Sequence, residues 1–171
     1  FNGSTNFEAG TLIEWFQENG MSFGADTNAH TAFSETVYKL DLPNRDEKTL
    51  RDGLQVLRDF ASELNLEEVE VQAEKGVIDG EERERDSAGF RAFVELLNRQ
   101  YAGTLLSTRL PIGTKDVRDQ FTAETVRAFY ERWYRPENMT LVIVGDLGDF
   151  NPEGLIKEYF GGMKSPGTEV M

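Results

Sequence analysis

Leu50, Leu54, Leu57, Ala61 and Leu64 recur at alternating spacings of four and three, which lays them along one face of a helix. The pattern predicts an amphipathic helix from Asp46 to Leu64. Leu12, Trp15 and Phe16 form a shorter stripe of the same kind and predict a helix from Asn6 to Asn19, stopped by Gly20. Between them the period changes to two. Ser22 to Ala29 and Glu35 to Leu42 read as strands. In the second, Thr36, Tyr38, Leu40 and Leu42 point one way and Lys39 and Asp41 the other, so one face of the sheet is wet. Pro43 ends that strand.

Glu67 to about Arg85 predicts a long acidic helix, and Asp86 to Tyr101 continues or restarts it on a stripe of Phe90, Phe93, Leu97 and Tyr101. Leu105 to Asp119 is irregular, with Pro111 and Gly113 as breakers. Thr122 is positioned to cap the next helix, with Phe121 and Val126 as a staple. Val126, Phe129, Tyr130 and Trp133 are its expected buried face. Met139 to Val144 is a continuous apolar run, expected as a central strand. Pro152 opens a last helix with Leu155, Ile156, Tyr159 and Phe160 inward. Clustered rather than alternating elements predict an α+β layer, with helices on one face of a mostly antiparallel sheet.

At 171 residues the chain can bury one substantial core. Its 31 acidic against 18 basic residues give a net charge of -13, which argues against neutralising a phosphate backbone and favours cationic partners. With no cysteine, there is neither a disulfide framework nor a thiolate metal site. No apolar run reaches membrane-spanning length. The single histidine, His30, cannot build a histidine-based zinc site or a Ser-His-Asp set by itself. It reads as a strand-end or loop residue without catalytic duty.

Two stretches carry candidate chemistry. Glu74 and Glu81 stand seven residues apart in the acidic helix. That is close to two turns, so they share a face, roughly 10 Å apart along the axis. Gly76 and Gly80 lie on an adjoining face, and glycine there costs about 1 kcal/mol each against alanine. Close approach of another backbone would account for them. Crowded carboxylates raise one another's pKa, and a bound cation relieves that cost. The same residues also fit a plain solvated acidic helix, and Asp79, Glu82 and Asp86, on other faces, read as solvated. The second stretch, Phe23-Gly24-Ala25-Asp26-Thr27-Asn28-Ala29, is short and small-sided. It reads either as an ordinary edge strand or as one that pairs with an extended peptide.

Taken in order, the segments resemble one family. Phe1-Asn2-Gly3-Ser4-Thr5-Asn6-Phe7, the Phe23 to Ala29 stretch and Glu35-Thr36-Val37-Tyr38 are similar to the segments that follow the zinc motif of the pitrilysin/insulinase (inverzincin) zinc peptidases. Glu74-Lys75-Gly76-Val77-Ile78-x-x-Glu81-Glu82 resembles their downstream acidic segment. Phe129-Tyr130-x-Arg132-Trp133-Tyr134-Arg135-Pro136-Glu137-Asn138-Met139-Thr140 with Val144-Gly145-Asp146 resembles their helix-to-strand junction. Within the family the likeness is to the bacterial PqqL-type branch. The resemblance implies a half of a clamshell zinc metallopeptidase enclosing a peptide substrate, with Zn2+ as cofactor, a second peptidase-like half as partner and a periplasmic or envelope location. It maps the third zinc ligand onto Glu81, a helper glutamate onto Glu74 and the substrate-holding edge pair onto Asn28 and Ala29. The H-x-x-E-H motif that supplies the other ligands is absent from these 171 residues. The expectation is a single truncated domain, residues 1–171, lacking the strand and helix that carry that motif. The fragment alone is then expected to be inactive and to hold zinc weakly. A peptidase-like half that is catalytically silent and only binds peptide or completes a chamber is the alternative.

Overall fold

The computed structural model describes residues 2–22 and 24–165. Phe1 and Phe23, at the start of two of the family-like segments, lie outside the described residues. The elements run α1 (Thr11–Glu18), β1 (Thr27–Thr31), β2 (Thr36–Leu40), α2 (Glu47–Ser62), α3 (Glu68–Arg85), α4 (Ala88–Gln100), α5 (Lys115–Arg118), α6 (Ala123–Trp133) and α7 (Pro152–Phe160). Short 3-10 turns occupy Leu105–Ser107 and Pro136–Asn138. The class is α+β, with the strands in one antiparallel pair.

The described residues gather into two compact units. One draws on 1–29, 38–66 and 124–171, the other on 30–37 and 67–123. The first unit holds the core. Its centre is α2, whose Val56 and Asp59 are fully enclosed. Leu12, Phe16 and Met21 pack on Val56, joined by Phe7, Trp15, Leu40, Leu42 and Phe60. Leu50, Leu54 and Leu155 form a second cluster with Leu141, Ile143 and the aromatic side chains of α7. β2 lays its apolar face on this layer, with Tyr38 stacked at 5.0 Å on Phe60, while Lys39 stays exposed. Gly53 explains how closely the layers meet. A Cβ there would fall 2.9 Å from a Leu42 methyl, so the helix-propensity cost of glycine is offset by the fit.

Three expectations are corrected. α1 starts at Thr11, not Asn6. The preceding residues are drawn into a loop by the Asp59 carboxylate, and Gly10 at φ +88° bars an earlier helical turn. α6 buries Tyr130 rather than Phe129 and Trp133, which are 59% and 41% exposed. The Tyr130 hydroxyl donates to the Phe60 carbonyl at 2.9 Å and its ring stacks on Tyr134 at 4.6 Å, and these contacts choose the inward face. Met139 to Val144 forms no strand among the described residues. Leu141 and Ile143 do turn into the core, but Val142 and Val144 are 73% and 90% exposed, and no described strand pairs with the segment.

Candidate functional site

α3 is the element on which the chemistry of the second unit turns, and it is an unusual helix. None of its residues is buried, and its valines Val69 and Val77 are 71% and 54% exposed. Of its aliphatic residues only Val71 and Ile78 are half-buried, so apolar docking orients it weakly. A polar seam adds to it. Glu68, Gln72, Lys75, Asp79 and Glu82 follow one another at spacings of four and three and all reach the segment 118–123. Glu68 accepts from the Ala123 amide at 2.6 Å, Gln72 donates to the Phe121 carbonyl at 3.1 Å and Lys75 to the Asp119 carbonyl at 3.1 Å. Asp79 accepts from Nε and Nη2 of Arg118 at 3.1 and 3.0 Å, Glu82 accepts from Nη2 as well, and Nη1 donates to the Ile112 carbonyl at 3.1 Å.

Arg118 is only 2% exposed. A buried guanidinium is tolerated because its donors are matched to two carboxylates and a carbonyl. Its hydrogen bonds, helped by Lys115, hold the Asp79 carboxyl below the usual carboxylate range. The Ala123 amide and then Gln72 do the same for Glu68. Asp79 and Glu82, which the sequence suggests are merely solvated, are thus structural partners. Sequence reasoning missed Arg118 entirely. The available signal was the polar stripe at helical spacing together with an arginine shortly after the breakers Pro111 and Gly113.

Glu74 and Glu81 point elsewhere. At about 100° per residue they stand about 140° and 160° around the helix from Asp79 and within about 20° of each other. Both are exposed. The nearest cation to Glu81 is Arg85 at 3.8 Å, a loose pair on the same helix. A half-exposed carboxylate in a loose pair is free to take a metal bond, and carboxylate oxygen is an ordinary zinc donor. Among the described residues no group of three His, Cys, Asp or Glu side chains could hold a metal ion. Glu81 fits zinc only as one carboxylate donor. The close backbone approach expected at Gly76 and Gly80 is not found among the described residues; only the Arg83 side chain comes within 4 Å, at Gly80.

In the other candidate, β1, register decides what is on offer. Ala32 donates to Glu35 at 2.8 Å and Asp41 to Asp26 at 2.7 Å. Antiparallel pairing then sets Ala29 opposite Tyr38 as a non-hydrogen-bonded pair, with the Ala29 N–H and C=O directed away from β2. That edge is unpaired by any described strand. The Ala29 amide is occupied by the Oδ1 of Asn28 at 2.8 Å, while the Asn28 amide group leans on the Gly24 carbonyl at 3.4 Å. Both residues are exposed. An incoming strand would exchange its own carbonyl for that side-chain oxygen. His30, beside them, is exposed as well.

The geometry gives an α+β fold with an open strand edge and an acidic helix, and the comparisons name the family. The insulinase family (peptidase family M16) matches residues 1–109, and the peptidase M16 inactive domain matches residues 120–170. The protein named "Probable zinc protease PqqL" from Escherichia coli (strain K12) is 35% identical over 92% of this chain. The crystal structure of the first half of the periplasmic protease PqqL from Escherichia coli superposes on all of this chain with a TM-score of 0.92 at 33% identity. A mutant of the ferredoxin protease FusC in complex with Arabidopsis ferredoxin superposes with 0.89 at 26% identity, again over the whole chain. The chain belongs to the insulinase family of peptidases. It spans 17% of the length of the PqqL sequence, 36% of the crystallised first half and 19% of the FusC chain.

Proposed function

We propose that this chain is part of a zinc-dependent metallopeptidase that hydrolyses peptide bonds, and that Glu81 gives one bond to the metal. The observation that carries the reading is the exposed Glu74/Glu81 face of α3, kept clear of the seam that engages the opposite side. Glu74, one ridge along the same face, orients or tunes the group bound at Glu81. Zinc held there supplies a water acidic enough to lose its proton near neutral pH. The chain's own share is to fix a carboxylate where the metal is held and to present a strand edge. Asn28 and Ala29 hold the substrate backbone, the outward Ala29 N–H and C=O pairing with an extended peptide once the Asn28 side chain swings aside.

The remaining ligands and a second peptidase-like half come from the rest of the protein, as in the two-part architecture of the PqqL relative. A periplasmic location is supported by the same likeness, the relative being described as a periplasmic protease. No helix among the described residues is long and apolar enough to cross a membrane. By itself the stretch 1–171 is inactive, because one carboxylate is a poor zinc site. The test is peptide cleavage by the full-length protein with and without chelator. Cleavage abolished by chelator and restored by zinc is expected; cleavage indifferent to chelator would overturn the reading.

A further inference from the structure

We infer that Arg118 is a positioning residue that sets the rotation of α3 about its own axis, and with it the direction in which Glu74 and Glu81 project. The inference rests on the proposed role of Glu81 and adds a residue to it. α3 has no fully buried side chain, only Val71 and Ile78 half-buried among its aliphatic residues, so polar contacts carry much of the indexing of its rotation. The seam provides that index, and its members are unequal. Glu68 and Gln72, exposed, and Lys75, half-buried, reach main-chain groups through contacts that water can replace.

Arg118 differs. It is enclosed, it bridges Asp79 and Glu82 one turn apart, and it is itself held by the Ile112 carbonyl. A planar fork spanning two carboxylates on successive turns is satisfied at one rotation only. A shift of α3 by one residue position, about 100°, would carry both carboxylates out of reach and swing Glu74 and Glu81 by the same angle. Lysine keeps the charge but cannot serve two carboxylates and a carbonyl with the same geometry.

The test uses the full-length zinc-loaded protein and reads the zinc dissociation constant by chelator competition, together with kcat and KM for a peptide. Arg118→Met is expected to weaken zinc binding by about tenfold to a hundredfold, the range for partners that orient a metal ligand. It should lower kcat and leave KM nearly unchanged, with Arg118→Lys recovering part of the loss. Arg99→Ala, which removes only the exposed Glu95 pair on α4, is expected to match the wild type. Should Arg118→Met fail to fold, Asp79→Asn with Glu82→Gln loosens the same link from the helix side and is expected to give the same loss. Glu81→Gln separates the two claims. If Glu81→Gln loses zinc while the folded Arg118 or Asp79/Glu82 variants keep wild-type affinity, the positioning role is wrong and the zinc reading stands. If Glu81→Gln keeps zinc, the zinc reading fails first.

Discussion

Asp59 shows what a single residue can do in this fold. It is fully enclosed on α2, yet its carboxylate is saturated: Ser4 Oγ, the Asn6 amide at 3.2 Å, Asn6 Nδ2 at 2.8 Å and Gln55 Nε2 at 2.7 Å all donate to it. Removing an acceptor shared by four donors, of which Ser4 is buried, Gln55 half-buried and the two of Asn6 exposed, leaves the enclosed ones unpaired. Asp59→Ala is therefore expected to destabilise the protein by roughly 2–4 kcal/mol, read from the urea midpoint; a change below about 0.5 kcal/mol would show that water takes over the donors. In the sequence Asp59 is one more acid on a polar helix. Apart from Gln55, one turn earlier on the same helix, its partners sit more than fifty positions away, and helical periodicity carries no information at that range. Arg118 escapes the sequence for the same reason, lying 39 and 36 positions from Asp79 and Glu82. Glu74 and Glu81, by contrast, share a face as their spacing implies, because seven residues on one helix is a local fact.

Elements were legible where period and packing agree. α2 buries Leu50 and Leu54 and α7 buries Leu155, as their stripes mark, although Val56 and Asp59, the most enclosed residues of α2, lie off its stripe; α3 begins and ends within a residue of its expected bounds. The sequence misled where tertiary contacts override pattern, as in α1 and α6. Met139 to Val144 is the instructive failure. Its run of apolar residues encodes a strand buried on both faces, but only one face, Met139, Leu141 and Ile143, finds cover. Exposed alternate valines on an extended segment invite pairing with another chain. Lysine at Val142 and Val144 is expected to reduce self-association of the isolated 171-residue chain while shifting its stability by no more than about 0.5 kcal/mol. Light scattering against concentration checks this, and unchanged association would show the segment is not the sticky surface.

The α3 seam also carries a pH signature. Asp79 and Glu68 have folded-state pKa values depressed below the ordinary carboxylate values of about 4. Groups of that kind contribute stability that is present above those ordinary values and is lost as pH falls through the depressed ones. Amide protection along α3 is expected to hold from neutral pH down to about 4 and then fall. In Arg118→Met the acid limb belonging to Asp79 should disappear. An acid limb unchanged by Arg118→Met would remove Arg118 from the account.

At the scale of the whole molecule, the strongest physical statement is charge. A net -13 sets a negative field that draws cationic ligands and weakens with salt. If peptides are the substrates, a series of equal length and rising positive charge is expected to show rising kcat/KM at low ionic strength, flattening as salt is added. Rates independent of peptide charge would mean that the residues outside this stretch govern selection. Family membership was legible from ordered short segments, since they preserve turns and junctions that the fold reuses. The proposed second half came from the resemblance alone, because no residue pattern within this stretch marks a surface that would meet it.

The central claim is that Glu81, not its neighbour one face-repeat earlier, holds the metal. Anomalous diffraction at the zinc edge from crystals of the full-length protein tests it directly. The account predicts a zinc peak about 2.0–2.2 Å from a Glu81 carboxylate oxygen, with Glu74 outside bonding distance. A zinc bound by Glu74 in its place, or held without any carboxylate from α3, would contradict it.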